Sequence, residues 1–181
     1  MKPLYISIIV AVVFAMSCGS SKSSATTEEI AALETLIKNR DFKIESNWAY
    51  PLSSMAMQQV LNSGLLPPGN TSSAISLIGN SNFLSISGDS ITSYLPYYGE
   101  RQMQVDYGGG DSAIQFDGLL EDYNAIKNKN DSYTISFQSK SKSEHFNGNI
   151  IIFPSLRTEI MLNSASRFSI RYSGVVIEEE E

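Results

Sequence analysis

From Phe42 to Ile177 the chain is written as short runs of alternating apolar and polar residues, each closed by glycine, proline, asparagine or aspartate. Alternation with a period of two puts every second side chain on one face, so each run reads as a half-buried strand. Phe42, Ile44, Ser46, Trp48 and Tyr50 form the first run, and Pro51 closes it. Trp48, the single tryptophan, is expected in the core. Further strands are expected over residues 74–78, 82–87, 90–97, 112–119, 123–127, 132–139, 144–153, 159–162 and 168–177. Gly88-Asp89 joins two of them as a two-residue hairpin with glycine first. Strands at roughly 8–12 residue spacing predict a mainly β fold, an antiparallel β-sandwich or barrel.

One N-terminal amphipathic helix precedes the strands. Thr27 can cap it, and Glu28 and Glu29 complement the helix dipole in the first turn. Ile30, Leu33, Leu36 and Ile37 make one apolar stripe, which packs the helix on the sheet. Residues 55–61 fit helix or strand equally, and residues 64–70, with Pro67-Pro68-Gly69, read as a loop.

The first twenty residues read as an address. Lys2 precedes an apolar run from Leu4 to Met16, too short to span a bilayer and suited to a signal-peptide core. The run ends in Ala15-Met16-Ser17-Cys18-Gly19, similar to a bacterial lipobox, whose cysteine is acylated and becomes the new N-terminus. The expected organisation is a lipoprotein signal peptide over 1–17, a flexible tether over 18–27, a β-rich domain over 28–177 and an acidic tail over 178–181. Acylated Cys18 would hold the protein to the membrane by lipid alone. No acidic residue follows Cys18 in the tether, which points to the periplasmic face of the outer membrane.

Charge and residue counts exclude several chemistries. Net charge is −6, and four of the negative charges are the run Glu178 to Glu181. No basic stripe exists, so nucleic acid is not an expected partner. A single Cys and a single His leave no internal disulfide and no cysteine or histidine metal cluster. No cofactor and no metal are expected. Gly88-Asp89-Ser90 and Gly110-Asp111-Ser112 echo an esterase nucleophile block, but both read as hairpin turns. Glu144 and His145 are neighbours on one strand and point to opposite faces, so they cannot act as an orienting acid and a base. Glu100, Asp106, Asp111, Asp117, Glu121 and Asp122 could supply a glycosidase pair or a calcium loop, though their spacing matches no calcium loop.

The densest stretch runs from Ser93 to Gln102, followed by Tyr107-Gly108-Gly109-Gly110. Ile91, Ser93, Leu95 and Tyr97 share one face of a strand, and Thr92, Tyr94, Pro96 and Tyr98 share the other. Both faces are apolar or aromatic, so both are covered. The stretch is either a structural corner or the rim of a ligand or partner site, with Tyr94, Tyr97, Tyr98, Glu100, Arg101 and Tyr107 as its residues.

Ile75-Ser76-Leu77-Ile78-Gly79-Asn80, Tyr94-Leu95-Pro96-Tyr97-Tyr98-Gly99-Glu100-Arg101-Gln102-Met103 and Tyr107-Gly108-Gly109-Gly110 resemble a domain-of-unknown-function family of small Gram-negative lipoproteins. The resemblance covers about Phe42 to Val176. It implies secretion, a lipid anchor and a β-rich domain, and it brings no catalytic residue. The function expected is a non-catalytic envelope module that binds a small or lipidic ligand. The alternatives are an envelope protein–protein interaction protein and, more remotely, a hydrolase using paired carboxylates.

Overall fold

The computed structural model describes residues 25–64, 68–101, 113–141 and 144–177. Cys18, the signal run, Tyr107 with its three glycines, and the tail lie outside them. Helix α1 (Thr27–Asn39) leads into strand β1 (Asp41–Pro51), and helix α2 (Met55–Asn62) follows. The remaining strands are β2 (Ile75–Ser76), β3 (Phe83–Ser87), β4 (Ser90–Tyr94), β5 (Asp117–Leu119), β6 (Glu121–Lys127), β7 (Tyr133–Ser141), β8 (Glu144–Ile152), β9 (Arg157–Ser164) and β10 (Ile170–Ile177). The ambiguous run at 55–61 is thus helical, so the described residues hold a second helix beside the expected one.

Thr26, not Thr27, caps α1. Its hydroxyl accepts the Glu29 N–H at 3.2 Å, and the Glu29 carboxylate accepts the Thr26 N–H at 2.7 Å. This reciprocal box satisfies two of the helix's open donors and takes the last two residues out of the expected tether. Leu33 and Ile37 are buried, while Ile30 and Leu36 are half-buried, as the stripe predicts.

All strand pairs are antiparallel, in the order β5-β4-β3-β1-β10-β9-β8-β7-β6, with β2 paired to β1 beside this path. The sheet curls into a nearly closed barrel. Its two edge strands are consecutive in sequence, joined through Leu120. Side chains of β7 bridge the seam: the Ser139 hydroxyl donates to the Leu119 carbonyl at 3.3 Å, and the Ser141 hydroxyl accepts the Gln115 N–H at 3.2 Å. Inside, Phe116 meets Phe137 and Phe146 edge-on, with ring centroids 6.2 and 5.6 Å apart. Among the described residues the buried core draws on side chains from Leu33 to Tyr172.

The β3–β4 hairpin turns at Gly88-Asp89 as expected. Gly88 alone of the two has a positive φ, 59°, as in a type II′ turn. The first Gly-Asp-Ser block is therefore a turn; Asp111 and Ser112 of the second lie outside the described residues.

Trp48 is half-buried rather than in the core. A β-bulge between Ser46 and Trp48 inserts one residue into β1 opposite β10. The buried face therefore runs Phe42, Ile44, Ser46, then Ala49 and Pro51, and Trp48 turns outward. Gly174 makes the bulge possible. A Cβ there would overlap the Glu45 carbonyl oxygen and sit 2.7 Å from Ser46 Cα. The Asn82 side chain completes it: its carbonyl accepts the Ser46 N–H, and its amide donates to the Ser46 carbonyl, both at 2.9 Å.

Candidate functional site

The 93–101 stretch splits by face, as its alternation predicts. Ile91, Ser93, Leu95 and Tyr97 are buried, while Tyr94, Pro96 and Tyr98 are half-buried. Tyr97 is 6% exposed, so it belongs to the core rather than to an open rim. Its hydroxyl lies 2.9 Å from the Glu100 carbonyl and 3.0 Å from the Phe168 carbonyl, and it donates its proton to this pair. The Phe168 N–H donates to Glu100 at 3.1 Å, and Tyr172 donates to the Pro96 carbonyl at 2.9 Å. Gly99 lets the chain fold over the ring, since a Cβ there would overlap the Tyr97 hydroxyl. Glu100 and Arg101, both half-buried, follow in this corner, where the backbone of Arg101 forms an isolated antiparallel bridge with that of Arg167.

Beneath the corner lies an ion pair that inspection of the sequence missed. Arg167 is 6% exposed, with its Nε 2.6 Å from the Glu144 carboxylate. Its guanidinium stands 5.0 Å from the Tyr97 ring centroid and 5.9 Å from that of Phe146. Burial pushes the Tyr97 hydroxyl up to about 12, with the Arg167 charge pulling the other way. Burial raises Tyr172 well above its usual range as well. Glu144 thus holds a structural arginine, and His145, on the opposite face, is exposed.

The other face of the stretch lines a groove. Tyr94 and Tyr98, with Phe83 of β3, make one wall of a groove of about 710 Å³. The opposite wall is the loop around Asn70 and the segment from Ile75 to Ser81. That wall is built by a tight turn, in which the Asn80 N–H donates to the Leu77 carbonyl at 2.9 Å. Gly79 takes φ 83°, as the third residue of a type II turn must, and the turn lifts Ile78 to 74% exposure. Asn70 accepts the Ser76 N–H at 2.7 Å, and the Asn80 side chain is hydrogen-bonded to the Tyr98 hydroxyl. Burial raises Tyr98, and that bond opposes the shift. Ile78 also borders a second hollow, of about 360 Å³, whose walls include Trp48 and Gly174.

The structure therefore brings Tyr94 and Tyr98 together, buries Tyr97, and puts Glu100 and Arg101 at the corner and outside the groove lining. The loop wall was not foreseen. A signal for it exists: every residue from Ser46 to Gly88 is uncharged. Of the carboxylates considered for hydrolysis, Asp117, Glu121 and Asp122 are exposed, and Asp106 and Asp111 lie outside the described residues. Among the described residues no group of three or more His, Cys, Asp or Glu comes together to hold a metal.

A family model described as a domain of unknown function, DUF4251, matches residues 24–176. The chain belongs to the DUF4251 family. Its fold is similar to the crystal structure of a DUF4251 family protein from Bacteroides eggerthii DSM 20697, with a TM-score of 0.54 and 13% identity. The match covers 84% of this chain and 89% of that one, and at such identity it shows the fold alone. No curated protein matches the chain. The DUF4251 model spans α1 and nearly all of β10, so the barrel, both groove walls and the Tyr97 corner lie within the family's domain.

Proposed function

We propose that this DUF4251 protein is a non-catalytic binding module, anchored through acylated Cys18 on the periplasmic face of the outer membrane. The groove between Tyr94–Tyr98 and the 70–81 segment carries this reading. Its volume, about 710 Å³, falls within the range of roughly 300–1,000 Å³ for small-molecule sites. Its walls are already fixed by internal hydrogen bonds, so little ordering is needed on binding. Among the described residues the lining holds no carboxylate, histidine, lysine or cysteine, which favours binding over acid–base chemistry. The lipobox-like segment before Cys18 supports the anchor.

Native mass spectrometry of residues 20–181, made in a bacterial periplasm, tests the groove. A reproducible adduct is expected in the wild type and absent from Tyr98→Ala. An adduct that persists in Tyr98→Ala would refute the groove as its site. Fractionation of Cys18→Ser tests the anchor, with loss from the membrane fraction expected. A protein partner is the second reading, favoured by Leu52 and Met55 beside α2, which are 52% and 86% exposed.

A further inference from the structure

The chemistry of the groove narrows its ligand, given the binding reading above. Its two walls come from the uncharged run Ser46–Gly88 and from Tyr94 and Tyr98, so none of the described lining residues is ionised at neutral pH. The nearby cation, Lys43, lies over the Phe83 ring, 5.4 Å from its centroid, and outside the lining. A charged ligand would leave water for this groove with no opposite charge to meet it, at a cost no lining group offsets.

The polar groups present are amides and hydroxyls. Asn70, Asn80, Ser76 and Ser81 lie opposite the aromatic wall. An amide offers both a carbonyl acceptor and an NH2 donor, and a hydroxyl does both at once. Such groups match a ligand that is itself dense in hydroxyls. Tyr94, Tyr98 and Phe83 meanwhile give aromatic surface for an apolar ring face. An acyl chain fits less well, because the hydrogen-bonding capacity that Asn70, Asn80, Ser76 and Ser81 keep beyond their internal bonds would lose water against it. A peptide strand also fits poorly. The Ser76 N–H is taken by Asn70 and the Ile78 N–H by the Ser76 hydroxyl, while β3 is paired on both sides.

We infer that the groove binds a neutral saccharide, with one pyranose face against the aromatic wall and its hydroxyls on the Asn70–Ser81 side. Ile78 borders both hollows, but the second, beside Trp48, also carries Arg157 and Glu159, so the neutral-ligand argument applies to the first alone.

Isothermal titration of residues 20–181 tests this with four neutral hexasaccharides: maltohexaose, cellohexaose, mannohexaose and chitohexaose. A galacturonate hexamer and palmitate serve as the charged and lipidic probes. At least one neutral hexasaccharide is expected to bind, with an affinity unchanged by salt, since no ion pair forms. Tyr98→Ala should weaken it by about tenfold or more. Ser81→Trp, at an exposed groove position, should abolish it with the melting temperature unchanged, which separates blockage from misfolding. If galacturonate or palmitate binds instead, and Ser81→Trp abolishes that binding, the groove stands and the saccharide assignment falls. If a neutral saccharide binds equally to both variants, the groove assignment falls with it. Absence of binding by all four neutral probes overturns the inference.

Discussion

Replacing Asn82 with alanine should unfasten the bulge that sets the outward face of β1. Asn82 is 5% exposed and Ser46 is 1% exposed, so water cannot take over when the amide is removed. Three contacts go: the Ser46 N–H and carbonyl at 2.9 Å each, and the Asn80 carbonyl at 3.0 Å. The first two groups would be left buried without a partner, at a cost of about 1–3 kcal/mol each. The sum, about 2–6 kcal/mol, is a large fraction of the stability of a small domain. With a urea m-value of about 2 kcal/mol/M, the midpoint should fall by roughly 1–3 M. Asn82→Asp should be no better, because a carboxylate keeps the acceptor for the Ser46 N–H but faces two carbonyls without a donor. Ser81→Ala, at the exposed neighbouring position, is the control and should stay within about 0.5 kcal/mol of wild type. A midpoint shift below about 0.5 M for Asn82→Ala, with m unchanged, would refute the clamp.

The Tyr97 corner gives a graded pair: Tyr97→Phe should cost about 1 kcal/mol by removing one hydroxyl bond, and Tyr97→Ala about 3–5 kcal/mol by emptying the core beneath it. Thermal melts that place both within error of wild type would restore Tyr97 to an open rim. Because Tyr97 holds its proton to about 12 when folded and to about 10 when unfolded, its contribution is complete below pH 10 and is lost as pH rises toward 12. Urea midpoints measured across that window should fall, and fall less steeply in Tyr97→Phe. Glu144→Ala leaves the Arg167 charge buried without its carboxylate and should cost about 3–5 kcal/mol, measured by urea denaturation. Gly174→Ala should lower the melting temperature despite adding one methyl group, because the backbone of Glu45 and Ser46 occupies that space.

What could be read from the sequence was local. The stripe of α1, the Gly88-Asp89 hairpin and the two-faced run from Ile91 to Tyr98 depend on neighbours in the chain, and all three stand. The bulge in β1 could not be read, because an inserted residue leaves the text of alternation intact while turning Trp48 outward. Its causes, Gly174 and Asn82, lie far along the chain. The seam at Leu120 was hidden for a related reason. Two consecutive strands that do not pair look like any hairpin until the whole sheet has curled. For the site, alternation placed Tyr94 and Tyr98 on one face, but only tertiary packing sets Asn70, Ile78 and Asn80 opposite them. Corner and rim stayed open for Tyr97, because a tyrosine hydroxyl can be satisfied by backbone carbonyls from another strand connection, which no local pattern announces.

The pairing of β1 with β10 has a consequence in time. Lys43 lies opposite Ile177, so β1, an interior strand of the sheet order, gains one of its neighbours from the far end of the described chain. A chain emerging N-terminus first can wind α1 and close the β3–β4 hairpin early, since both depend on short-range contacts. It cannot complete the barrel until the last strand has arrived. Long-range closure of this kind is slow, and it leaves β1 with an open edge while the chain waits. Until β10 arrives the barrel stays open, so the domain tightens only at the end of its own synthesis.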